Sequence, residues 1–355
     1  MDLKESYLGI QNPIYRLPDE LLVIIFDLIV QDDQLSYGVV NSNPVFTQVC
    51  RHWRTVSLDT SSLWRRICLA HPIAWINEVF RRSQSQPLIL WHNYDPDPEN
   101  GDGAIDDIPA IALSEPWRIE ELSLCTSSAN FRSCVALSQP LLLARSITLA
   151  NESLDPDAFT LPDDIFGGHT PRLRELTLFN CIPPWKSPCW TGLTSLYLVL
   201  PCTSPPKMHL SRIMECLQVM PMLQTLELWE EYAYDSPGDD LSAWDEKTNI
   251  LMPHLSKITI RADWECFRML NFISGPKISN VTLTLLESFS ADNFAMCGVT
   301  RIASIVANAF SSLHTLDFDW DGFTESFRIT LKGDSDIEFK CSLHAVDYFH
   351  VSQGA

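Results

Sequence analysis

Positive charge is scarce in this 355-residue chain: 25 Lys and Arg stand against 45 Asp and Glu, for a formal net charge of −20. The deficit is uneven. Residues 1–85 carry eight bases and nine acids, which leaves 17 against 36 for the rest. Such a chain repels phosphates, which argues against non-specific binding to nucleic acid. The acidity serves solubility, or it suits a basic partner. Also missing is any CxxC pair among the 11 cysteines, whose number is odd and whose spacing is irregular. A secreted chain would pair its cysteines; these read as reduced, mostly buried thiols of a cytosolic or nuclear protein. The start, Met1-Asp2-Leu3-Lys4-Glu5, has no apolar core of a signal peptide, and no run of about 20 apolar residues is present to span a membrane.

Catalytic signatures are lacking as well. No Gly-rich phosphate loop, HExxH or GxSxG occurs, and the nine histidines are scattered. Asp317-Phe318-Asp319-Trp320-Asp321-Gly322 opens like a calcium loop, but Arg328 stands at the twelfth position, where a bidentate Glu is required. No catalytic residue, cofactor or metal is therefore expected, and the chain reads as a binding protein rather than an enzyme. What it does have is apolar material: 46% hydrophobic residues and 20% charged suffice for a substantial core.

In the first 85 residues that material is helical. Leu17-Pro18-Asp19-Glu20 opens a helix, with Pro18 at the first position and two acids where the helix dipole favours them. Apolar residues follow at 21, 22, 25, 26, 28 and 29, a broad stripe at helical spacing. Asn43-Pro44 can cap a second helix carrying Val45, Val49, Cys50 and Trp53. Leu63, Trp64, Ile67 and Leu69 form an anchoring segment, and a further helix starts at Pro72. A cluster this small has little core of its own and leans on a partner or a neighbouring domain.

The run Leu17-Pro18-Asp19-Glu20-Leu21-Leu22, then Ile25-Phe26, Val49-Cys50-Arg51-His52-Trp53-Arg54 and Ser62-Leu63-Trp64 resembles an F-box. The resemblance implies docking on the Skp-type adaptor that bridges F-box proteins to a cullin scaffold. The matching adaptor-binding positions are Leu17, Pro18, Leu21, Leu22, Ile25, Val49, Cys50 and Trp53. The stretch from Gln31 to Asn43 lengthens the interval before Val49 beyond the usual pattern, as in a large fungal group of F-box-like proteins. The plainer alternative is a helical cap on the domain that follows, with these apolar residues all internal.

From residue 87 the period changes. An apolar-x-x-apolar-x-apolar template recurs at Ile119–Leu124, Leu173–Leu178, Leu193–Leu198, Leu223–Leu228, Leu255–Ile260, Ile278–Leu283 and Leu313–Phe318. Shorter matches are Ile147-Thr148-Leu149 and Leu88-Ile89-Leu90. The steps run from 20 to 35 residues. This resembles leucine-rich repeats in irregular form, in which each unit buries its apolar face only by stacking on its neighbours. The alternative is an α/β domain with a mixed sheet. The expected fold is thus α/β: an F-box at 14–70, a linking helix at 71–86, an irregular solenoid of parallel strands at 87–323 and a β-hairpin cap at 324–350.

Two surfaces stand out for binding. Residues between the template's apolar positions point outward, presenting Phe179, Tyr197, Val199, Glu227, Trp229, Lys257 and Arg261 on successive strands. Aromatic residues with Arg are the types enriched in binding hot spots, so Phe179, Tyr197, Glu227, Trp229, Lys257 and Arg261 are the candidate substrate-binding residues. Equally, inserted loops would turn that face into a second core. Two acidic stretches, Asp95 to Asp107 with six acids and Glu230 to Glu246 with seven, contain no base. They are solvated loops, or they flank a site for a basic segment of a substrate protein. The expected function is that of a substrate receptor in a Skp–cullin–F-box ubiquitin ligase; the alternative is a repeat-based scaffold that recruits no ligase.

Overall fold

The computed structural model describes residues 17–36, 45–92, 114–127, 131, 138–151, 159–200, 210–230, 249–262, 264–276, 278, 280–285, 313–321, 326–333 and 338–344. Three helices come first. Helix α1 spans Asp19–Ser36, and the Pro18 carbonyl accepts from the Leu21 and Leu22 amides, so Pro18 sits one residue before the helix rather than at its first position. A 3₁₀ turn, Val45–Gln48, leads into α2, Arg51–Asp59. The cap of α2 is Cys50, whose sulfur accepts from the Trp53 amide at 3.5 Å. Helix α3, Ile73–Ser83, follows Pro72. Asn43-Pro44 lies outside the described residues.

The strands are β1 (Arg66–Cys68), β2 (Leu88–His92), β3 (Ile119–Thr126), β4 (Ser146–Asn151), β5 (Phe159–Thr160), β6 (Glu175–Phe179), β7 (Cys181–Ile182) and β8 (Ser195–Leu200). After these come β9 (Thr225–Glu230), β10 (Ile250–Leu251), β11 (Lys257–Ala262), β12 (Ile273–Ser274), β13 (Asn280–Leu285), β14 (Leu313–Asp321), β15 (Ser326–Gly333) and β16 (Glu338–His344). A twelve-stranded sheet runs β1-β2-β3-β4-β6-β8-β9-β11-β13-β16-β15-β14. From β1 to β13 every neighbouring pair is parallel, and spatial order follows chain order. The pairs β5–β7 and β10–β12 form two small parallel sheets of their own.

Register explains why the template works. The parallel pairing aligns Leu122, Ile147, Leu176, Leu196, Leu226, Ile258 and Val281 in one row, and Leu124, Leu149, Leu178, Leu198, Leu228, Ile260 and Leu283 in a second. All are buried. Because the side-chain period of a strand is two, both rows project to one face, and one slip of register would expose them all. Ile119, Ala144, Leu173, Leu193, Leu223, Leu255 and Ile278, just before or at the strand starts, are buried as well. Each buried Leu, Ile or Val among these contributes about 1.5–3 kcal/mol over its exposed state. Helix α4, Leu210–Gln218, covers this face with Leu210, Ile213, Met214, Cys216 and Leu217. Where the chain enters these strands, one carbonyl often accepts two successive amides of the next: Arg174 O takes Thr194 and Ser195, and Gln224 O takes Ser256 and Lys257.

One expectation needs correction. The template at Leu313–Phe318 does not extend the parallel stack. Strand β14 lies at the outer edge, antiparallel to β15, and it is β16 that pairs parallel with β13. Only four residues separate β14 from β15, too few for the crossover that parallel neighbours require, so the chain turns back on itself. The antiparallel pair expected towards the C-terminal end is formed by Ser326–Gly333 and Glu338–His344, and it joins the main sheet through β16 on β13. The sheet is parallel along most of its width and mixed at this end.

Nor do the helices form an isolated domain. Leu22 and Phe26 of α1 belong to the same contiguous core as Leu283 of β13, and β1, which follows directly on the helical cluster, is the first strand of the sheet.

A reciprocal amide pair closes one turn of the stack. Asn151 and Asn180 follow the aligned residues Ala150 and Phe179. Asn180 Nδ2 donates to the Asn151 carbonyl (2.9 Å), and Asn151 Nδ2 donates to that of Asn180 (3.3 Å). Asn180 has φ 53, a left-handed conformation that asparagine tolerates better than most residues. Asn180→Ala should therefore cost about 1–3 kcal/mol, read from the urea midpoint, and Asn180→Gly less, since glycine keeps the backbone and loses only the side-chain bonds. Equal losses would show that the left-handed conformation contributes nothing.

Candidate protein-interaction surfaces

The outer face of α1 is apolar. Leu21, Ile24 and Leu28 are 46%, 55% and 59% exposed, and Val45 and Val49 in the turn before α2 are 58% and 59% exposed. Positions 21, 24 and 28 repeat at helical spacing and form a stripe that the inward side, Leu22 and Phe26, cannot share. Asp19 Oδ1 and His52 Nε2 lie 3.1 Å apart, between the first turn of α1 and the first turn of α2.

Among the residues singled out in the sequence, Pro18, Leu21 and Val49 are exposed, while Leu17 and Ile25 are half-buried against the core. Leu22 is a correction. It is fully buried, packed in the core with Phe26, and cannot serve an outer rim. Cys50 spends its sulfur on capping α2. Trp53 is half-buried beside Phe26, with ring centroids 5.1 Å apart. Ile24, Leu28 and Val45 are exposed as well and were not among the expected adaptor-binding positions. The signal was present in a stripe too broad for one helix face to bury.

These features lie within one family match. Residues 14–70 match the family model for F-box-like domains. The chain carries an F-box-like domain. No curated protein matches the chain, and no solved structure does. An F-box-like domain points to a role in protein interaction, typically with a Skp-type adaptor. Here the domain includes β1, so its last strand is the edge of the large sheet.

The second surface is the sheet face opposite the core. Phe179, Tyr197, Glu227, Trp229, Lys257 and Arg261 all lie on it, on β6, β8, β9 and β11. Register places Phe179 beside Val199, Val199 beside Trp229 and Trp229 beside Arg261; Tyr197 is beside Glu227 in the adjoining row. The structure brings most of them into contact. The Tyr197 and Trp229 rings meet edge to face at 5.3 Å, the Arg261 guanidinium lies 5.6 Å from the Trp229 ring centroid, and Lys257 Nζ pairs with Glu227 Oε1. Burial, followed by the Glu227 charge, pushes the Tyr197 phenol above its ordinary value, with Arg261 opposing. Phe179 is more exposed and stands apart, separated from Trp229 by the buried Val199. The acidic stretches at 95–107 and 230–246 lie outside the described residues, apart from the Glu230 backbone at the end of β9.

The reactive side chains elsewhere have structural neighbours. Burial pushes the Cys181 and Cys216 thiols up to about 12, so both are protonated at neutral pH; Cys216 donates to the Trp185 carbonyl. Among the described residues no three His, Cys, Asp or Glu side chains gather as metal ligands would, and no helix is long and apolar enough to cross a membrane. The Asp317–Asp321 backbone lies in β14.

Proposed function

We propose that the chain is a non-catalytic substrate receptor of a Skp–cullin–F-box ubiquitin ligase, acting in the cytoplasm or nucleus. The exposed apolar stripe of the F-box-like domain carries the reading. Leu21, Ile24, Leu28, Val45 and Val49 sit on the outside of a unit whose inside is already filled by Leu22, Phe26 and Phe46. Soluble proteins rarely leave contiguous apolar surface uncovered without a partner for it. The parallel sheet, with spatial order following chain order and three buried rows matching one template, supports an irregular leucine-rich-repeat solenoid. Its outward face would hold a substrate protein near a separate conjugating enzyme, so that the contribution is proximity rather than chemistry.

The test is capture of a purified Skp-type adaptor by the full chain beside a Leu21→Asp, Val49→Asp double variant. Charge at these exposed positions leaves the core intact, so the variant should keep its unfolding midpoint and lose adaptor binding by at least about a hundred-fold, as expected for removal of a central hot spot. A folded wild type that captures no adaptor sinks the ligase reading and leaves a protein-binding scaffold.

A further inference from the structure

Among the described side chains of the outward sheet face, Arg261 is a cation without an ion-pair partner. Glu227, the acid of the cluster, already holds Lys257. Arg261 has no ion pair among the described residues, and its Nε is buried without a hydrogen-bond partner. Beside it the indole Nε1 of Trp229 is likewise buried and unpartnered. A guanidinium over an indole face keeps its N–H donors directed along its own plane. Buried donors left without acceptors are costly, and they are costliest on a charged group. In a chain of net charge −20, which repels anions at long range, an arginine lying over an indole and without an ion pair among the described residues marks a place where one negative charge is admitted locally.

The geometry points to a carboxylate as the group this cluster takes: an Asp or Glu side chain of an extended partner segment, next to an apolar residue that lies on Tyr197 and Trp229. One free guanidinium balances one negative charge. A phosphate, carrying close to two, would need a second cation, and Lys257 is committed to Glu227. An extended segment fits because the participating side chains stand on one face of three adjacent parallel strands, β8, β9 and β11, in two neighbouring rows. This inference rests on the reading of the sheet face as the substrate surface and gives it a chemical preference, acidic rather than basic at this point.

The experiment is a selection of random displayed peptides on the full chain, counter-selected on Arg261→Gln. Peptides with Asp or Glu beside an aliphatic or aromatic residue should be enriched. A synthetic fluorescent copy of the leading peptide should bind Arg261→Gln about ten- to a hundred-fold more weakly than wild type. The copy with its Asp or Glu changed to Asn or Gln should lose as much, and combining the two changes should add little further. The peptide-side change reads the same contact without touching the protein, so a misfolded Arg261→Gln does not spoil the test. Enrichment of basic peptides, enrichment without an acid, no enrichment over the counter-selection, or tighter binding of a phosphoserine copy would each overturn the assignment. Adaptor capture is measured on the same preparation. Its failure with peptide binding intact would break the ligase reading alone, and the reverse result would break only this one.

Discussion

Arg118→Ala should lower the free energy of unfolding by about 3–5 kcal/mol, the scale for removing one partner from a buried charged network. Arg118 is buried directly before β3, and every arm of its guanidinium is engaged. Nη1 donates to Glu115 (2.6 Å), Nη2 to Ser83 Oγ and to the Gln86 carbonyl (both 2.8 Å), and Nε to the same carbonyl (3.0 Å). Its face lies 5.3 Å from the Phe80 ring. Ser83 and Gln86 form the exit from α3, where Gln84 takes φ 51 and the Gln86 amide returns to the Ser83 carbonyl. The arginine thus ties the last helix of the N-terminal cluster to the start of the first long strand. Truncation leaves a buried serine hydroxyl, a carbonyl and a carboxylate short of their donor. Arg118→Lys should recover less than half, because an ammonium cannot reproduce the planar fork. Urea unfolding followed by far-UV circular dichroism measures both, and a midpoint unchanged in Arg118→Ala would show that these bonds carry no net stability.

Nothing in the local sequence announces that role. Arg118 reads as an ordinary base before a strand, and apart from Glu115 its hydrogen-bond partners lie 32 and 35 residues back along the chain. The same limit explains the other misses. The rows of Leu, Ile and Val in β3 to β13 were legible because a two-residue period and one repeated template specify both the strand and its buried side. Leu21 and Leu22 were not separable. Both belong to one apolar stripe, and only the position of Phe46 and Trp53, set by a segment more than 20 residues later, decides that 22 turns inward. Leu313–Phe318 fits the template as well as any true neighbour, but its place in the sheet is decided by the four-residue connection to β15. The outward cluster was legible in composition and strand placement. The pairing of Lys257 with Glu227, which leaves Arg261 without an ion pair among the described residues, was not, since it depends on which rotamers meet across β9 and β11.

Phe26→Ala is the second large effect, also about 3–5 kcal/mol, for a buried aromatic replaced by a methyl. Phe26 is fully buried in α1, stacked on Phe46 with centroids 4.4 Å apart and planes 10° from parallel, and tilted against Trp53. It is the one ring of α1 that touches both the 3₁₀ turn and α2, so its loss leaves a cavity lined by two aromatic faces. Phe26→Leu refills most of that volume and should cost less than half as much. The two outcomes can be told from a wholly local effect by amide exchange. The core runs unbroken from Leu22 to Leu283, and β1 inserts the F-box-like domain into the sheet, so the domain and the sheet are expected to unfold as one cooperative unit. Protection in α1 and in β2 and β3 should therefore fall together in Phe26→Ala. Loss confined to α1 and α2, with the strands unmoved, would show that the helices unfold on their own. In that case adaptor binding would have to order them as well as cover their exposed stripe, and its affinity would drop by the cost of that ordering.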